Sequence, residues 1–394
     1  MIKPYAQEET VVRLLSDLVM CNSTNPSGEE LSSAKVLEKF LSNAGFLCEI
    51  VELSPGKVNL IATKIFSSCG PTVLLNSHLD VVPAGNGWET NPFIPEIVDG
   101  KLFGRGSADA KGSLASMAVA SANLSQIPGV SGKLIFTAVS DEEGGSTGAR
   151  RLVDSLLQNL PLPDAVIVGE PTEMKIVSAH KGSLRPIIRV TGKAAHAAAP
   201  NNGINAIESA GRFINHLNFY ATHLKSITHG LVGSPTCTAV LIHGGEAPNA
   251  VPETVEITLD RRLIPGESNE SVEKEIRDLT NNFNITDIGS ASIHSFAPTT
   301  GGPSETSSHD PFIQTCQGVL LSLGLDEMLQ GLQVNCDMTH FRKIGIPTIV
   351  TGPGSLEVMH AANEFISIKG LLEAVAIYQQ YLEKLMEKDA TWHK

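Results

Sequence analysis

An open α/β sheet with a separate α+β insertion is the fold class this chain predicts, on three observations. Short apolar, β-branched runs at 71–76, 133–139, 164–168 and 346–350 are bounded by turn residues and read as buried strands. Each run opens into polar or ionisable residues, and open α/β sheets bind ligands at the carboxyl ends of their strands. Between 182 and 296 the pattern changes to strand, helix, strand, strand, helix and strand, at 184–190, 204–224, 236–242, 253–263, 271–283 and 290–294, which suggests a small βαββαβ sandwich. At 394 residues the chain exceeds the usual size of one core, so two domains are expected.

In chain order, residues 1–25 lack the basic start and continuous apolar core of a signal peptide. They read as an amphipathic helix through Val11, Leu14, Leu15, Leu18 and Val19. The run at 71–76 delivers Ser77-His78-Leu79-Asp80. The glycines of Gly104-Arg105-Gly106-Ser107-Ala108-Asp109-Ala110-Lys111-Gly112 permit a tight turn, and the apolar stretch 114–120 behind them reads as helix. Asp109 then sits near a helix N-terminus; capping by Ser107 or Asp109 is the plainer reading of that turn. The run at 133–139 delivers Ser140-Asp141-Glu142-Glu143-Gly144-Gly145, and 164–168 delivers Gly169-Glu170-Pro171-Thr172. The run at 346–350 opens into Gly352-Pro353-Gly354 and then His360, and Gly352 is expected to offer backbone groups to a substrate.

These groups form a set of nitrogen and oxygen donors without thiolates. Zinc suits such donors, and cobalt or manganese can replace it. In an extended segment residues two apart point the same way, so the Asp80 carboxylate is expected to accept the second ring N–H of His78. Glu142 and Glu143 are adjacent and face opposite sides, so one can bind metal while the other serves as general base. An Asp-Glu-Glu triplet alone is more often a solvated turn.

Ser77 to Pro83, Trp88 to Phe93, Gly104 to Gly112, Asp141 to Gly145, Gly169 to Thr172 and Met359-His360-Ala361-Ala362-Asn363-Glu364 together resemble the co-catalytic zinc metallopeptidase and deacylase family, over nearly the whole length. The resemblance implies a zinc-exopeptidase-like α/β/α catalytic domain, residues 1–182 and 297–394, with a ferredoxin-like lid and dimerisation domain inserted at 183–296. It implies two zinc ions, one held by His78, Asp109 and Glu170 and one by Asp109, Glu143 and His360. Glu142 would be the general base and Asp80 would support the site. On the lid, His196 in Gly192-Lys193-Ala194-Ala195-His196 would stabilise an oxyanion. Asn249 in Ala247-Pro248-Asn249 would contact substrate, and Arg262 in Asp260-Arg261-Arg262 would bind its carboxylate, with Arg261 the alternative. Asp337 resembles a position near the substrate pocket, but Thr339 stands where related chains often carry Arg.

The implied reaction is hydrolysis of the amide bond in an N-acyl amino acid, N-acetylornithine-type deacetylation first. Desuccinylation of succinyl-diaminopimelate and dipeptidase or carboxypeptidase cleavage are the alternatives, and a non-catalytic binding protein on the same scaffold is the reading from another class. The net charge of −13 and the absence of any Lys or Arg run argue against nucleic acid or an anionic membrane as partner. No segment is long enough to span a bilayer. Cys21, Cys48, Cys69, Cys237, Cys316 and Cys336 show no zinc-finger or redox spacing, so reduced thiols in a cytoplasmic protein are expected; the family resemblance implies a homodimer formed through the lid domain and a small-molecule substrate. Lys111-Gly112-Ser113 reverses the order a phosphate loop requires, and His180, His309 and His340 have no assigned role.

Overall fold

The computed structural model describes residues 4–26, 28–158 and 162–393. The chain divides into two compact units: 1–178 with 305–330 and 336–394, and 179–304 with 331–335. The second unit therefore begins and ends a few residues outside the expected 183–296 and also takes in the short segment 331–335.

In the first unit, strands run in the order Leu47–Ser54, Lys57–Ile65, Lys133–Val139, Thr72–His78, Ala165–Val168 and Thr348–Val350. Thr72–His78 lies parallel to both Lys133–Val139 and Ala165–Val168, and Thr348–Val350 is parallel to Ala165–Val168. Every residue of Thr72–His78 is buried. That is why the strand reads as a continuous apolar run, since a central parallel strand is covered on both faces. Val73 and Leu75 face a core shared with helices Pro4–Met20, Glu30–Asn43, Lys111–Leu124 and Ile368–Leu385. Asn76 turns to the opposite face, where its amide donates to Asp337 at the start of the short helix Met338–Lys343. Helices thus cover both faces, and the parallel strands end together on one rim.

The second unit is a four-stranded antiparallel sheet in the order Thr236–Gly244, Thr254–Leu263, Gly182–Thr191 and Ser290–Ala297. Helices Ala206–Leu224 and Asn269–Thr286 close one face, with Phe213, Leu217, Ile276 and Phe283 packed on Ile188, Val190, Ile257 and Leu259. Asn205 caps the first helix by accepting from Ile207 and Glu208 N–H, and Ser268 and Ser271 form a reciprocal cap on the second. The element order is the βαββαβ pattern read from sequence.

His180 opens the second unit fully buried, its Nδ1–H donating to Lys181 O at 2.9 Å while Nε2 meets no partner among the described residues. Burial pushes this imidazole down to about 4. The folded state therefore binds fewer protons than the unfolded one, so the contribution is complete above the ordinary histidine pKa of about 6.5 and is lost as pH falls from there toward 4. Urea unfolding at pH 7.5 and pH 4.5 is expected to show an acid loss that shrinks, by up to about 3 kcal/mol, in His180→Leu.

Candidate metal centre

The ligand-type side chains gather at the rim where the parallel strands end. His78 is the last residue of Thr72–His78, and Asp141 to Glu143 and Glu170 follow Lys133–Val139 and Ala165–Val168 by two to four residues. Asp109 lies two residues before helix Lys111–Leu124, whose first turn has no side-chain cap. The capping reading is thereby excluded, and the Asp109 carboxylate instead bridges two imidazoles. Its Oδ1 is 3.1 Å from His78 Nε2 and its Oδ2 is 3.1 Å from His360 Nε2. Glu170 Oε2 stands 3.9 Å from His78 Nε2, and Glu143 Oε1 stands 2.9 Å from His360 Nε2.

Two ligand sets result, His78 with Asp109 and Glu170, and Asp109 with Glu143 and His360. In each set, ligand atoms lie within 4.8 Å of one another. All donors are imidazole nitrogen or carboxylate oxygen, which suits zinc, manganese or cobalt and gives no preference among them. Burial and the charges of Glu170 and Asp337 push the Glu142 carboxyl well up, and burial does the same to Glu170. Hydrogen bonds that its ring donates to the Asp109 and Glu143 carboxylates push His360 up to about 10. Burial opposes ionisation of Asp109, but the His360 and His78 rings hold its carboxyl well below the usual range. Protons are therefore retained wherever the cluster can hold them, as expected of a site short of positive charge. Divalent cations fit that deficit and that donor set.

The expected contact between the Asp80 carboxylate and His78 is not what the structure contains. His78 Nδ1 donates to the backbone oxygen of Asp80 at 2.9 Å, and Asp80 Oδ1 is 3.7 Å away. That carbonyl holds Nδ1–H and so orients the ring with Nε2 toward Asp109 and Glu170. The Asp80 carboxylate is occupied elsewhere. Its Oδ1 accepts Glu142 N–H at 3.1 Å, and its Oδ2 accepts Glu143 N–H at 3.2 Å and Asn25 Nδ2 at 2.7 Å. Asp141 turns the chain through a left-handed conformation, φ 64°, which aims these two N–H groups inward. Asn25, which also donates to Asp141 Oδ1 at 2.9 Å, was not singled out from sequence.

Gly352 is also corrected. It is buried, its N–H donates to Thr172 Oγ1 at 3.1 Å, and its oxygen accepts from Thr172 and Met174 N–H, so no backbone group remains for a substrate. A side chain there would strike Ser113 Oγ and Glu170 O, so close packing requires the glycine. The two oxygens of Asp337 are held by Asn76 Nδ2 and by the Ser146 hydroxyl, which in turn accepts from His340 Nε2 at 2.8 Å.

His196, Asn249 and Arg262 belong to the second unit. The short pairing of Ala195–His196 with Ala250–Val251 brings His196 beside Asn249, whose oxygen accepts Ala197 N–H at 2.9 Å. His196 Nδ1 accepts Ala198 N–H at 3.1 Å, so the neutral ring carries its proton on Nε2. Strand alternation separates the two arginines. Arg261 is fully buried against Tyr220 and Glu267, whereas Arg262 is on the other face, partly exposed and bonded to Asp260 at 2.6 Å.

The peptidase family M20/M25/M40 model matches residues 74–384. This chain belongs to that family. It is 32% identical to acetylornithine deacetylase of Proteus mirabilis, with 88% of this chain and 87% of the relative covered, and 32% identical to that of Vibrio cholerae, with 91% and 92% covered. Among solved structures, aminopeptidase PepT from Bacillus cereus superimposes with a TM-score of 0.77 at 22% identity over 96% of this chain and 98% of that one. The Bacillus subtilis YXEP protein, described as a dinuclear metal-binding peptidase, gives 0.73 at 17% over 98% and 99%. At these identities the structures establish the shared fold, a catalytic domain with an inserted domain. Family membership makes the chain a metal-dependent hydrolase.

Cation binding to the folded state alone must stabilise it. Zinc, cobalt or manganese added to chelator-stripped protein is expected to raise the thermal midpoint, by the equivalent of about 2.7 kcal/mol at a hundredfold excess over Kd. An unchanged midpoint across all three in scanning calorimetry would contradict the site.

Proposed function

We propose that this hydrolase cleaves the amide bond of a small N-acyl amino acid, with N-acetylornithine the leading substrate, through a two-cation site built on Asp109. The observation that carries the reading is that one aspartate, Asp80, pins both Glu142 and Glu143 while only Glu143 enters a ligand set. Its neighbour Glu142 is thereby held beside that ligand set and left for proton transfer. His78, Asp109 and Glu170 would hold one divalent ion and Asp109, Glu143 and His360 the other, with zinc the proposed metal. When bound, the ions supply Lewis-acid polarisation of the carbonyl and lower the pKa of the attacking water. Glu142 accepts the water proton at its carboxylate and delivers it to the leaving nitrogen. His196 donates Nε2–H to the developing oxyanion, in keeping with the tautomer that Ala198 N–H favours. Asn249 contacts the substrate, and Arg262 exchanges Asp260 for the substrate carboxylate. The deacetylase relatives favour this substrate over succinyl-diaminopimelate or a dipeptide.

Glu142→Gln is expected to retain two ions by metal analysis and lose about 10²–10⁴-fold in turnover, whereas Glu143→Gln loses an ion. N-acetylornithine, N-succinyl-diaminopimelate, N-acetylmethionine and dipeptides, assayed in parallel, test the substrate. A preference for dipeptides would reject the deacetylase assignment and leave the chemistry intact.

A homodimer through the second unit and a cytoplasmic location complete the proposal. Thr236–Gly244 is the outer strand of its sheet and exposes Val240, Leu241 and Ile242 by 50%, 55% and 53%, an apolar edge suited to a second copy. All six cysteines are free thiols, as a reducing compartment allows. No helix among the described residues is long and apolar enough to cross a membrane. Light scattering is expected to give twice the chain mass for wild type and the chain mass for Leu241→Lys.

A further inference from the structure

Among the described residues of the first unit, one fully buried ion pair joins two residues with no part in either ligand set. Arg105 Nη1 donates to Glu364 Oε2 at 2.5 Å, with both side chains at most 1% exposed. Burying such a pair is costly unless its remaining hydrogen-bonding capacity is used; here Arg105 Nε meets no partner among the described residues, and the rest of that capacity is directed at the metal centre. Glu364 Oε1 accepts two backbone N–H groups, those of Ala108 at 2.9 Å and Asp109 at 3.0 Å. Arg105 Nη2 lies 3.3 Å from His360 O, 3.2 Å from Ala84 O and 3.4 Å from Pro83 O. The pairing of Phe365–Ser367 with Lys101–Phe103 sets Glu364 beside Gly104, whose N–H donates to Glu364 O at 2.9 Å. Three segments therefore converge on one ion pair: the exit from His78–Asp80, the turn carrying Asp109, and the loop carrying His360.

We propose that Arg105 and Glu364 act as a positioning pair that sets the distance between Asp109 and His360 and thereby the affinity for the cation those two residues share with Glu143. His78 and Glu170 are fixed by strands. Asp109 and His360 stand on a turn and a loop, and His360, at φ 61° and 42% side-chain exposure, is the less embedded imidazole. The anionic Glu364 also fixes the orientation of the Asp109 peptide without itself facing a metal. Loosening the pair would leave the His78 set nearly intact and weaken the His360 set.

The inference rests on the two-cation reading, and cobalt(II) titration of chelator-stripped full-length protein, followed by calorimetry and by the cobalt absorption spectrum, separates the two. Wild type is expected to bind two ions. Glu364→Gln, which keeps the shape but loses the charge, and Arg105→Lys, which keeps the charge but loses the fork, are expected to bind the first ion within about threefold of wild type. Their second ion is expected to bind about 10–100-fold more weakly with an altered spectrum, the range typical of groups that orient metal ligands. Two ions at wild-type affinity in both variants would overturn the positioning role alone. Wild type that takes up no cobalt would overturn the two-cation reading and the proposal with it. Circular dichroism and the thermal midpoint of the stripped proteins decide whether the pair serves only the fold: variants that lose stability without losing second-ion affinity, or that both fail to fold, reject the proposal.

Discussion

Like charge at close quarters is the constraint around which the first unit is organised. Asp80, Asp109, Glu142, Glu143, Glu170 and Asp337 crowd one rim of the sheet, with two imidazoles set among them. Carboxylates withdrawn from water repel each other strongly unless opposite charge or hydrogen bonds compensate. The structure supplies hydrogen bonds to the carboxylates on the periphery. Asp80 receives two backbone N–H groups and an amide, and Asp337 receives an amide and a hydroxyl. The carboxylates at the centre are left facing His78 and His360. The charge deficit thus falls at the two ligand sets, which is where cations would relieve it.

That division explains why a parallel sheet carries the site. Strands ending side by side bring His78, Glu142, Glu143 and Glu170 to one line with little loop to order, so the entropic cost of convergence is met by the core beneath them. The buried runs ending at His78, Val139 and Val168 are the rigid part of the site. Asp109 and His360 come from a turn and a loop, and for them position has to be supplied by further contacts. The buried arginine and the glutamate four residues beyond His360 supply it.

The same contrast governs what the sequence could reveal. Continuous apolar runs ending in His, Glu or Asp announced the strands and the residues at their ends, because full burial writes itself into composition and strand ends are local. The βαββαβ order of the second unit was legible for the same reason, its helices and strands having different periods. Alternation also foretold that Arg261 and Arg262 face opposite ways, without saying which way each faces; Arg261 turned out to be the buried one. What escaped was contact between distant residues. Nothing local says that Asp80 holds the backbone of residues beyond the next strand rather than the ring two residues away, or that Gly352 is filled from behind by Ser113 and Glu170. Arg105 and Glu364, separated by 259 residues, both stood inside recognised motifs without a role. Their signal was a charge on each side of a buried turn, which only three dimensions can pair.

The two ligand sets, although they share Asp109, are unequal. His78 is 1% exposed, anchored through Nδ1 to a backbone oxygen and seated at the end of a central strand, whereas His360 is 42% exposed on a loop with left-handed residues at His360 and Asn363. A cation held by His78, Asp109 and Glu170 therefore meets ligands that scarcely need to move. One held by Asp109, Glu143 and His360 draws on a more exposed donor carried by a loop, and ordering such a side chain costs affinity. The inequality has a chemical use. Glu142 is pinned through the same Asp80 that holds Glu143, so the group proposed for proton transfer stays in register with the His360 set, the one nearer solvent. Site asymmetry and the placement of Glu142 thus follow from one arrangement, in which strand ends fix three of the five ligands and the buried ion pair positions the other two.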